Sequence, residues 1–220
     1  MIHWSYGVMS VPSRAETLLP RTLESLKLGG FEHPAVFVDF EHYGVYGSWM
    51  LAAWKLYLQN PFADAYIIFQ DDIVVYKNLR QYLEQLKYPL MGYFNLSTWP
   101  ENAELATKTG WFESNQKGRS ACGLLFTSEG FRLLLHRKAV VDKARDRRKP
   151  GKCVDGMIIE AMRELDWKEY CHFPSLLKHT GDNQSTTNNQ NSPVADSFKG
   201  EDFDALDFLG ELDAKDTVHS

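Results

Sequence analysis

Several things are scarce in this chain of 220 residues, and each scarcity closes off a class of protein. It has three cysteines, Cys122, Cys153 and Cys171, with no close pair and no CxxC spacing. A disulfide framework or a cysteine-built zinc site is therefore not expected, and the sparse thiols suit a reducing, cytoplasmic setting. No apolar run approaches the roughly 18 residues of a membrane-spanning helix, and the N-terminal MIHWSYGVMSV lacks the charged region and apolar core of a secretory signal. There are no internal repeats, and neither GxxxxGK[ST] nor GxGxxG occurs. The net charge of −5 gives no overall pull toward nucleic acid or anionic membranes.

What is present is a sizeable core composition, 44% hydrophobic and 13% aromatic, enough for one domain. The first half alternates apolar strands with helical patterns. Strands are expected at His3–Met9, Ala35–Asp39, Tyr66–Gln70 and Leu90–Phe94, and helices at Ala15–Lys27, Ser48–Gln59 and Asn78–Leu86. This β-α-β-α-β order predicts a mostly parallel, Rossmann-like sheet flanked by helices, with ligands beyond the carboxyl ends of the strands. The segment Asn95–Lys117 reads as an irregular binding loop, and Ala121–Thr127, Ser128–Arg137 and Val154–Leu165 as strand, helix and helix. Residues 1–186 are expected to form one domain. Residues 187–220 follow as a polar and then acidic tail, with seven carboxylates between Glu201 and Asp216 and a peripheral position.

Within AYIIFQDDIVVY, Asp71 and Asp72 interrupt an apolar run. Adjacent carboxylates there repel each other and are costly to desolvate unless positive charge compensates them. A divalent cation with oxygen ligands is one solution, and a solvated turn is another. The loop after the first strand, Asp39 and the Asp71–Asp72 pair all fall at carboxyl ends of strands, which favours a shared site.

Four segments in order, YGVMSVPSR, FQDDIVV, GRSACGLLFTSEGFRLLL and VDGMIIEAM with FPSLLKHTGDNQST, resemble the nucleotide-sugar-dependent glycosyltransferases of the GT-A fold. The resemblance covers roughly residues 3–186, and it departs from the family's EDD-like pattern at Gln70. It implies a nucleoside-diphosphate sugar donor, with uridine as the expected base, and Mn²⁺ or Mg²⁺ as cofactor. It also implies transfer to an acceptor hydroxyl. Asp72 is implied as the direct metal ligand, Asp71 as shared between metal and ribose, and His179 as the completing ligand. Pro12, Arg14, Asp39 and Gly123 are implied around the donor, Arg14 toward base or diphosphate and Asp39 toward the base. Asp155 is implied as the base of an inverting displacement.

Plainer readings stand beside these. Arg14, Asp39 and His179 also suit surface or capping roles, and Asp155 suits a helix start. Trp99, Trp111 and Phe112 could stack on a sugar or simply pack. Eight of the 24 Lys and Arg residues lie between Arg137 and Lys152. That stretch would suit a phosphate backbone, hence a hydroxymethylated base in DNA as acceptor beside a glycan, or it is a solvated charged loop. A nucleotidyltransferase and a non-catalytic nucleotide- or sugar-binding module are the competing functions.

Overall fold

In the parallel neighbours β1 (Trp4–Ser10), β2 (Ala35–Val38) and β3 (Ala65–Gln70), β1 lies in the middle, and each connection crosses over through a helix. The helices are α1 (Leu19–Leu28) and α2 (Gly44–Gln59). The computed structural model describes residues 2–137, 154–180 and 195–212. The sheet is completed by β5 (Gly92–Asn95), β6 (Gly110–Glu113), β7 (Gly123–Thr127) and β8 (Lys168–Phe173), in the order β2-β1-β3-β7-β5-β8-β6. Of these seven strands β7 and β6 run against the rest, so the sheet is mostly parallel, as expected.

Burial on both faces explains the apolar run in β3. Tyr66 and Ile68 join one core with Trp49 and Met50 of α2, Phe131 of α5 (Ser128–Leu135) and Ile158 of α6 (Val154–Arg163). Ile67 and Phe69 point the other way. They join Leu26 of α1, Tyr82 of α3 (Leu79–Leu83) and Phe208 of the 3-10 segment Ala205–Gly210. Each such large side chain contributes about 1.5–3 kcal/mol by leaving water.

The run is not one strand. β3 ends at Gln70, Asp71 and Asp72 form a turn, and β4 (Ile73–Val75) leaves the sheet to pair antiparallel with β9 (Leu177–His179). Other boundaries differ from expectation as well. Pro12–Arg14 is a 3-10 turn, and α1 starts at Leu19, with Pro20 in its first turn, rather than at Ala15. The loop after β5 holds a short helix, α4 (Pro100–Ala103), and β6.

The tail expectation needs correction over residues 201–212. Ala205 and Phe208 are fully buried, and Tyr76 is covered by Phe198, Phe203 and Phe208, with Phe198 stacked at 4.4 Å. Glu201 and Asp202 face outward, to Arg21 at 2.5 Å and Lys77 at 3.0 Å, and the half-buried Asp204 accepts from Asn78 at 2.7 Å, so an acidic segment docks chiefly through its aromatic residues. Most of the basic stretch, residues 138–152, lies outside the described residues, as does the GDNQST run after Thr180. Among the described residues no helix is long and apolar enough to cross a membrane.

Candidate active site

The register Met9↔Gln70 between β1 and β3 brings the chain after β1 against the chain after β3. Ser10 therefore donates to Asp71 Oδ2 at 2.6 Å. Arg14 uses one nitrogen, Nη1, for both aspartates: Asp71 Oδ1 at 3.1 Å and Asp72 Oδ2 at 2.7 Å. The β4–β9 pairing sets His179 opposite Ile73, and its Nε2 lies 3.0 Å from Asp72 Oδ2. Backbone anchors hold the turn. Thr180 N donates to the Asp72 carbonyl at 2.7 Å, and Thr22 Oγ1 of α1 lies 2.8 Å from the Asp71 carbonyl and accepts from Ile73 N.

Both aspartates are buried. Burial pushes the Asp72 carboxyl up, but His179 and Arg14 together outweigh it and hold the group below its ordinary value. Among the described residues Asp72 Oδ1 is buried with no hydrogen-bond partner. A buried carboxylate oxygen in that condition is open to a further ligand, and hard oxygen donors beside an imidazole fit Mn²⁺ or Mg²⁺ chemistry. The other carboxylate oxygens are engaged. Among the described residues no set of three or more His, Cys, Asp or Glu side chains is arranged to hold a metal ion. The donor types fit a divalent cation, then, while Arg14 occupies the charge position between them.

Around this cluster, Asp39 directly follows β2. Its Oδ1 accepts from Tyr43 N at 3.0 Å, and its own N–H donates to Ser10, so it caps the approach to α2. Pro12 is exposed and opens the 3-10 turn that presents Arg14. Gly123 pairs with Phe69, and a Cβ there would come within 2.5 Å of Leu177 Cδ2, so its missing side chain makes room for β9. Gln70, the departure from the acidic pattern, accepts from the Cys122 thiol at 3.5 Å. Burial pushes that thiol up to about 12.

Asp155 stands in the first turn of α6, half-buried, and its two oxygens accept from Ser120 N (2.8 Å) and Gly156 N (2.9 Å). Ser120 sits at φ +72°. Behind it, Asn95 Nδ2 reaches the carbonyls of Arg119 and Ser120 and the buried carboxyl of Glu169. Burial pushes the Glu169 carboxyl up, against the hydrogen bonds from Ser114 and Asn95. Sequence reasoning misses Ser10, Thr22, Asn95, Ser120 and Glu169. Of these Ser10 carries a signal, as a polar residue closing an apolar strand at its carboxyl end. Among the aromatic candidates, Trp111 is partly buried and packs against Phe94 and His172 at the edge of the core. Trp99 lies under the Arg119 guanidinium at 5.9 Å.

No family model matches the chain, and comparison with curated proteins gives no match. Among solved structures, GalNAc-T7 with UDP, GalNAc and Mn²⁺ aligns with TM-score 0.55 at 13% identity, over 81% of this chain and 43% of that one. A mutant of the Drosophila beta1,4-galactosyltransferase 7 with manganese, UDP-Gal and xylobiose aligns with TM-score 0.46 at 11% identity, over 97% and 82%. The inositol-1-phosphate CTP transferase of T. maritima aligns with TM-score 0.36 at 10% identity, over 76% and 66%. The chain thus spans less than half of GalNAc-T7, and identity this low speaks to architecture alone. Together with the strand order and crossovers, the likeness to GalNAc-T7 establishes that this chain has the GT-A fold.

Proposed function

We propose that the chain is a metal-dependent, inverting glycosyltransferase using a nucleoside-diphosphate sugar, with uridine as the base. The observation that carries this reading is the buried Asp71–Asp72 pair at the carboxyl end of β3, with Asp72 Oδ1 unpartnered and Arg14 and His179 against it. In an open α/β sheet this is where a nucleotide binds. Asp72, with Asp71 and His179 once Arg14 gives way, would hold Mn²⁺ or Mg²⁺, which would supply Lewis-acid neutralisation of the leaving diphosphate. Arg14 donates to the diphosphate, Asp71 also reaches the ribose, and Asp39 with Pro12 and Gly123 borders the donor.

Asp155 takes the proton of the acceptor hydroxyl as that oxygen attacks the anomeric carbon. One displacement inverts the configuration once. The two backbone N–H groups that bond its oxygens fix the direction of the carboxylate. The acceptor is a glycan hydroxyl or a hydroxymethylated base in DNA. Free thiols at Cys122 and Cys171 accord with work in the cytoplasm.

The test is product analysis with UDP-sugars and an acceptor panel of glycans and modified DNA. Nucleoside diphosphate as product supports the reading, pyrophosphate would mark a nucleotidyltransferase, and binding without turnover would mark a non-catalytic module. In Asp155→Asn, donor binding by calorimetry should persist while transfer falls by a factor on the order of 10² to 10⁴. Retained configuration at the anomeric carbon, read by NMR, would exclude the single displacement.

A further inference from the structure

A single guanidinium nitrogen bridges two adjacent carboxylates at this site, and that arrangement bears on how a cation can enter it. The Arg14 side chain is only 12% exposed, and those of Asp71 and Asp72 are 4% and 2% exposed, so the three charges meet in a largely desolvated place. Arginine stays protonated under all ordinary conditions, so it is a permanent counter-charge for two groups that would otherwise repel each other. Its backbone lies in the Pro12–Arg14 turn, beyond the ladder of β1. The backbone of Arg14 bonds locally, from its N–H to Val11 and from Thr17 and Leu18 to its carbonyl. The long side chain can leave the carboxylates without disturbing a strand.

The charge balance decides what must happen next. The two carboxylates and the Arg14 guanidinium together carry −1. A divalent cation added at Asp72 Oδ1 brings the cluster to +1, with a guanidinium nitrogen on the other oxygen of the same carboxylate. Like charges so close, in so little water, oppose each other. A diphosphate removes the conflict. It adds negative charge, and its oxygens match the donor fork of a guanidinium, which then has a better partner than the crowded aspartates.

We infer that Arg14 is an internal counter-cation that competes with the divalent metal for Asp71 and Asp72. The donor diphosphate makes the metal bind tightly by drawing Arg14 onto itself. This rests on the reading of the site as one for a metal and a nucleotide. It adds that Arg14 couples the two ligands, keeping metal affinity low until nucleotide is present.

The experiment is a Mn²⁺ titration, by calorimetry and by the free-Mn²⁺ paramagnetic resonance signal, with and without UDP. Wild type should bind Mn²⁺ alone weakly, and UDP should tighten it; by linkage, Mn²⁺ should tighten UDP by the same factor. Arg14→Gln should bind Mn²⁺ alone about tenfold more tightly or better, and the factor contributed by UDP should shrink, since only direct phosphate–metal contact remains. Arg14→Lys keeps the charge and should bind Mn²⁺ alone as weakly as wild type. It decides the matter if circular dichroism shows that the Gln variant does not fold. Competition is overturned if Arg14→Gln binds Mn²⁺ alone no more tightly than wild type, or if Arg14→Lys binds it far more tightly. If wild type binds no Mn²⁺ even with UDP, the metal-site reading itself fails and this proposal fails with it. A wild type that binds Mn²⁺ tightly with no help from UDP overturns the coupling alone.

Discussion

His172 on β8 is fully buried, and both of its ring nitrogens are committed. Nδ1 lies 2.7 Å from the Pro174 carbonyl and must donate to it, so Nε2 accepts from the Tyr82 hydroxyl, also at 2.7 Å. Burial favours this neutral ring and lowers the imidazole from 6.5 to about 4, against the opposing effect of the Pro174 carbonyl. Between those values the unfolded chain binds a proton that the folded chain refuses, so stability rises with pH across the window and is lost as pH falls through it. At about 1.4 kcal/mol per pH unit, the loss amounts to about 2 kcal/mol by pH 5 and roughly 3 kcal/mol at full protonation. Other groups titrate in the same range, so the quantity to measure is a difference. His172→Asn keeps a donor for Pro174 and has no charge to gain. It should be less stable than wild type at pH 7.5, because Tyr82 loses its acceptor, but that gap should narrow by about 2 kcal/mol at pH 5. Urea unfolding at the two pH values measures this. A gap that does not change with pH would show that His172 does not resist protonation in the fold.

Further expectations concern packing and the loop that holds Asp155. Phe208→Ala should cost about 3–5 kcal/mol, and removal of the residues after Gly200 should lower the melting temperature clearly, because Tyr76 and Tyr82 lose an aromatic partner; a tail that can be removed without effect on melting would contradict its docking. Gly118 has φ +64°, and a Cβ there would lie 2.7 Å from the Asp155 carbonyl, so Gly118→Ala should reduce transfer while leaving UDP affinity unchanged; full transfer by this variant would mean that the loop does not position Asp155. Cys122 and Cys171 are buried and both thiols are pushed up by burial, so peptide mapping after brief treatment of the folded chain with iodoacetamide should find both unmodified.

The parts of the fold legible in the sequence are those where apolar periodicity and burial coincide. In β3 every residue from Ala65 to Phe69 is buried, and the unbroken apolar run says so. β8 is not legible, because its sequence KEYCHF buries Glu169 and His172 beside Cys171. Those two side chains are tolerated inside through Ser114, Asn95 and Tyr82, which come from other parts of the chain, and through the nearby Pro174 carbonyl. The docked tail is hidden for a related reason. Its carboxylates dominate the composition, whereas Phe198, Phe203 and Phe208 make the contacts, and spaced single aromatics among acids give no helical or strand period.

The site divides along the same line. That Asp71 and Asp72 need a positive partner follows from their adjacency in an apolar run alone. Which partner they have depends on strand order and register. Arg14 reaches them because β1 lies beside β3 with Met9 level with Gln70, and His179 because β9 lies antiparallel to β4 with His179 level with Ile73. Neither pairing is written in local spacing. A slip of one residue in the β4–β9 register would turn His179 to the opposite face and leave Asp72 with Arg14 alone. The strand ends thus act as the device that assembles the charges. The acidic pair sits in a turn rather than within a strand because only there can side chains from three separate segments converge on it.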